Sequence, residues 1–114
     1  MSYVVTPFEV SSKALGEAVQ CRFVHLLSGI ATRHSDTMDC VFLVNGQRVM
    51  VGISCATLTE LRERERNPLS DQQLADMAAL FLRRTLEQGF DPTVSELFLG
   101  GDQLRALGRE LGYL

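Results

Sequence analysis

The sequence predicts an α+β domain: a small antiparallel sheet, built from a β-hairpin at about 39–54 plus one or two further strands, with three to five helices mostly in the C-terminal half. Three observations carry this expectation. The first half of the chain alternates apolar and polar residues. An Asn-Gly pair sits between two β-rich runs. The second half repeats apolar residues at helical spacing and is punctuated by two capping boxes.

The N-terminal residues 3–10 read as a short extended segment that Pro7 confines to a sheet edge. Residues 12–27 fit two templates. Val19, Cys21 and Phe23 alternate with Gln20 and Arg22, as on a half-buried strand. Ala14, Leu15, Ala18, Val19, Phe23, Leu26 and Leu27 also fall on one helical stripe, with Ser11 or Ser12 as cap and Gly29 as terminator. The helical stripe collects more apolar residues, so a helix over about 12–27 is expected.

Asn45-Gly46 is the best local signal. Both central residues of a type I′ turn need positive φ, which Asn and Gly tolerate. A two-residue loop pairs Val44 with Gln47, Phe42 with Val49 and Cys40 with Val51. Cys40, Phe42, Val44, Val49, Val51 and Ile53 then share a core face, with Cys55 as its continuation. Val41, Leu43, Arg48, Met50 and Gly52 share the other face.

Downstream, Thr57-Leu-Thr-Glu60 has the form of a capping box and opens a helix that Asn67-Pro68 stops. Ser70-Asp-Gln-Gln73 opens the longest helix, about 71–88. Its face carries Leu74, Met77, Ala78, Phe81, Leu82 and Thr85, and Gly89 suits the position after its end. Asp91-Pro92 resembles a cap followed by proline. Val94, Leu97 and Phe98 suit one or two helical turns, with a strand over 93–99 as the alternative. Asp102 is expected to cap a last helix, about 103–111, ended by Gly112.

At 114 residues the chain has the size of one domain, and 1–114 is read as a single unit. Net charge is −3, without a basic stripe of the kind that phosphate contacts require, so nucleic acid ranks last among the partners considered. No apolar run approaches the roughly 20 residues of a spanning helix, so no membrane is expected. Three widely spaced cysteines do not suggest a disulfide scaffold. The first residues lack a basic start followed by an apolar stretch. The expectation is a cytoplasmic protein with reduced thiols. Ten arginines against the single Lys13 suggest a GC-rich bacterial genome.

Cys21, His25, His34 and Cys40 are the candidate metal ligands. Thiolate and imidazole suit zinc, and Cys21 and His25 would stand one turn apart on a helix. Their spacing matches no standard site, and Cys21 and Cys40 read equally well as small buried hydrophobes. Cys55, ahead of the helix at Thr57, is a candidate nucleophile only if a base reaches it. The alternating charges of 60–66 read as a solvated helix face. Gly100-Gly101-Asp102 is explained by a turn and a cap, although glycine before a helix can admit an anion. Arg83-Arg84 is too short for a basic patch unless the fold brings Arg22, Arg33 and Arg48 to it.

The last candidate is apolar. Val41, Leu43 and Met50 must be covered, by the same chain or by a partner, and are the candidate interface. The functional expectation is a small interaction or regulatory module, most simply a homodimer, with no cofactor and no bond chemistry. The alternative is a small-molecule- or metal-binding protein, or an enzyme, that uses the polar groups between His25 and Cys55.

Overall fold

The structure, a computed structural model, describes residues 5, 7–27, 37–89 and 96–114. Among these residues five strands and three helices follow in the order β1 (Phe8–Ser12), β2 (Glu17–Leu27), β3 (Thr37–Val44), β4 (Gln47–Ser54), α1 (Cys55–Glu63), α2 (Asp71–Gln88), β5 (Glu96–Leu99) and α3 (Gly101–Glu110). The strands form one sheet in sequence order. The first three pairings are antiparallel, and β5 joins β4 in parallel. That parallel pairing follows from the connection. The chain leaves β4, crosses the sheet through α1 and α2, and returns in the same direction. The result is a small α+β fold with a mixed sheet and three C-terminal helices.

The hairpin is as the Asn-Gly pair dictates. Asn45 and Gly46 take φ of 51° and 80°. Val44 pairs with Gln47, Phe42 with Val49 and Cys40 with Val51. Asn45 also reaches sideways. Its side-chain Oδ1 accepts the Gln20 N–H, and its own N–H donates to the Gln20 carbonyl, each at 2.8 Å. The turn therefore fixes the neighbouring strand as well.

The helix expected over 12–27 is a strand. Ser12 does act like a cap, since its hydroxyl accepts the Leu15 N–H at 3.3 Å. The turn stops there, because Gly16 takes φ of 70° and its N–H bonds to the Ser12 carbonyl. Ala14, Leu15 and Ala18, which swelled the helical stripe, are all exposed. Val19 and Cys21 instead turn into the core, as strand alternation requires. A register shift between Phe23 and His25 inserts one residue. Phe23 and Leu26 thus both face the core three residues apart, which imitates helical spacing. β1, immediately after Pro7, is an edge strand as expected.

α1 starts three residues earlier than the Thr57 signal implies. Its cap is Ser54, whose hydroxyl accepts the Thr57 N–H. The Thr57 side chain is buried and donates to Ser54 Oγ at 3.3 Å. Cys55 accordingly opens α1 rather than ending a strand. α2 has the expected bounds, with the Ser70–Gln73 capping box formed and Gly89 at φ 114°. The helical reading of 94–98 is corrected at its described end. Glu96–Leu99 is extended, and Leu97 and Leu99 pack into the core. Asp91, Pro92 and Val94 lie outside the described residues. α3 is capped by the backbone of Gly100, and Asp102 lies in its first turn. A Cβ on Gly101 would stand 2.9 Å from Thr57 Oγ1, so this glycine admits a close approach of α3 to α1.

The core lies between the helices and one face of the sheet. Cys21, Cys40, Phe42, Val49, Val51 and Ile53 supply the sheet side, and Leu74, Met77, Leu82 and Leu86 the α2 side. Phe23 meets Phe42 edge-to-face at 5.4 Å, the arrangement favoured by ring quadrupoles. Among the described residues, no helix is long and apolar enough to cross a membrane.

Candidate functional site

Among the described residues no helix packs on the other face of the sheet, and this helix-free face is the candidate site. Cross-strand register assigns its positions, because directly paired residues share a face. Arg22, Leu43 and Arg48 form one row across β2, β3 and β4. The next row is His25, Val41 and Met50. Beyond it come Asp39, Gly52 and Phe98, and then Thr37 with Ser54.

The two ends of this face differ. At one end Thr37, Asp39 and Gly52 are buried, and Val41 in the adjoining row is 1% exposed. A buried carboxylate needs donors, and the Thr37 hydroxyl gives Asp39 Oδ1 one at 3.0 Å. Gly52 makes room for that carboxylate, since a Cβ there would lie 3.1 Å from Asp39 Oδ1. At the other end Leu43 and Met50 are half-buried, and Arg22 and Arg48 are exposed. Phe98 stands 57% exposed at the β5 edge, and Val24 is exposed at the β2 bulge.

Of the three apolar residues singled out from sequence, Val41 is thus closed off within the chain, whereas Leu43 and Met50 keep accessible surface. Sequence reasoning missed Phe98. It belongs to this face only because β5 pairs with β4, a contact that no local pattern in 93–99 announces.

Among the described residues the metal candidates Cys21, His25 and Cys40 are not brought together. Cys21 pairs with Val44, four residues along β3 from Cys40. At roughly 3.4 Å per residue this separates the two thiols by about 14 Å, far beyond disulfide reach or a shared ion. Both are buried in the core, where loss of water pushes the Cys21 thiol up to about 11 and the Cys40 thiol to about 12. Arg83 partly opposes the first shift, while Asp39 and Asp71 add to the second. His25, opposite Val41, shares the helix-free face and so stands on the other side of the sheet from both cysteines. His34 lies outside the described residues. Among the described residues, no group of three or more His, Cys, Asp or Glu side chains gathers where it could hold a metal.

Cys55, at the first position of α1, opens onto a cavity of about 290 Å³ that Met38, Leu58, Arg62, Leu69 and Leu74 also line. His25, the one described histidine, is not among the described residues that line it. Arg83 and Arg84 do not join Arg22 and Arg48. Arg83 lies over the Phe8 ring at 5.5 Å, and Arg84 is paired with Glu110 of α3.

No protein-family model, curated protein or solved structure matches the chain.

Proposed function

We propose that the chain is a protein-interaction module whose working surface is the helix-free face of its sheet. The supporting observation is one-sided packing. The helices cover the face that carries Phe42, Val49 and Val51, while Leu43, Met50 and Phe98 keep accessible surface on the other. An apolar patch with a charged rim is the usual character of a surface that binds protein. The occupant on this reading is another polypeptide, whether a second copy, the commonest arrangement among oligomers, or an unlike chain. The mechanism is surface complementarity rather than bond chemistry.

Native mass spectrometry of tagged protein isolated without chelator tests this reading. The expected result is the chain bound to a second polypeptide, with that complex lost in Met50→Asp while circular dichroism shows the fold retained. A lone chain carrying a metal or metabolite one-to-one, in wild type and variant alike, would overturn the proposal.

A further inference from the structure

This inference rests on reading the helix-free face as an interaction surface. Arg22, Leu43 and Arg48 occupy directly paired positions on three neighbouring strands. Adjacent strands lie roughly 4.8 Å apart, so the two arginines stand about 10 Å apart at the backbone, with Leu43 midway. Both arginines are exposed. Neither has an ion-pair partner among the described residues, in contrast to Arg84, held by Glu110, and Arg105, held by Glu60 and Glu65. Of the acids on this face, Asp39 is buried four residues away and presents no accessible charge, and Glu9, opposite Gln20, accepts a hydrogen bond from the Gln20 side-chain amide. At physiological salt, about 10 Å is close to one screening length, so the two cations still repel each other until an anion approaches.

We propose that this row docks an acidic amphipathic helix of a partner protein, which sets one apolar side chain on Leu43 and a carboxylate on each arginine. Spacing decides between forms of ligand. On a helix, Glu-x-x-x-Leu-x-x-Glu places its two acids about 10.5 Å apart along the axis with the leucine between them. An extended strand repeats a face every 6.8 Å or so, and two such steps overshoot the row. A phosphodiester backbone offers nothing apolar to Leu43, and a chain of net charge −3 gives a polyanion little general attraction. A second copy laid on the face in register would set arginine against arginine.

The probe is a fluorescein-labelled helical peptide carrying Glu-Ala-Ala-Ala-Leu-Ala-Ala-Glu, with a Lys-for-Glu counterpart as control, read by fluorescence anisotropy. The acidic peptide is expected to bind the full chain and to weaken as NaCl rises. Binding should fall at least about tenfold in Arg22→Glu/Arg48→Glu. It should be unchanged in Arg109→Glu, which alters an exposed arginine of α3. Circular dichroism checks that each variant is folded. Failure of the acidic peptide to bind, equal binding of the lysine peptide, or indifference to Arg22 and Arg48 would overturn the proposal. So would an oligonucleotide that binds with the same dependence on those arginines. Native masses separate the two levels of argument. A dimer of identical chains that Met50→Asp abolishes seats a second copy on the face and removes only the acidic partner. A Met50→Asp variant that changes no complex, together with a silent peptide, removes the interaction surface as well.

Discussion

The two faces of the β3–β4 hairpin are both rich in apolar residues, yet the fold uses them differently. One face, with Cys40, Phe42, Val49, Val51 and Ile53, is fully buried beneath the helices. The other divides along its length, from a closed end at Thr37, Asp39 and Val41 to an accessible end at Leu43, Met50 and Phe98. Apolarity therefore marks a strand face as one that needs cover, without saying what supplies it. For the face that carries Phe42 the supplier is an element far away in sequence, α2.

The sharpest way to break the comparison is to substitute a closed position on each face. Phe42→Ala should cost about 3–5 kcal/mol through the cavity it leaves. Val41→Asp should cost about the same although it lies on the helix-free face, because it buries an uncompensated charge. Urea unfolding measures both. A Val41→Asp protein of near wild-type stability would mean that the closed end is in fact open.

Next in size is a pH effect confined to the helix-covered face. The Cys21 and Cys40 thiols are raised in the folded protein to about 11 and about 12, against 9.0 for a free thiol. The unfolded chain therefore releases these protons first. Their contribution to stability is complete below about pH 9 and is lost as pH climbs through the folded values. The loss is up to about 1.4 kcal/mol per pH unit for each thiol. Stability followed from pH 8 upward should fall less steeply in Cys21→Ala/Cys40→Ala than in wild type. Equal slopes would place the thiols in contact with water.

A smaller effect is expected where the chain passes from one face to the other. Ser54 ends β4 and caps α1, so Ser54→Ala should cost about 1 kcal/mol. No measurable change would show that the α1 start is held by packing alone.

These positions also show how far the sequence could be read. The hairpin and its register were legible because two positive-φ residues in succession admit few alternatives to Asn-Gly. The bounds of α2 were legible from Ser70, Gln73 and Gly89, each of which makes the local bond its residue type favours. β2 was not, because its bulge puts Phe23 and Leu26 three apart and Ser12 does form a cap-like bond, for one turn only. Thr57 misplaced the start of α1, since its hydroxyl is turned to Ser54 instead of a free amide. Of the candidate site, Leu43 and Met50 followed from strand alternation. The burial of Val41, the contribution of Phe98 and the alignment of Arg22 with Arg48 all depend on β2 and β5 pairings that connect distant residues.

The central claim is that the accessible end of the helix-free face serves binding and not folding. Met50→Asp tests it most directly when stability and assembly are measured on the same sample. The account predicts a loss of less than about 1.5 kcal/mol in urea unfolding together with loss of the bound polypeptide in native mass spectrometry. A variant that unfolds outright, or one that keeps every complex of the wild type, would contradict it.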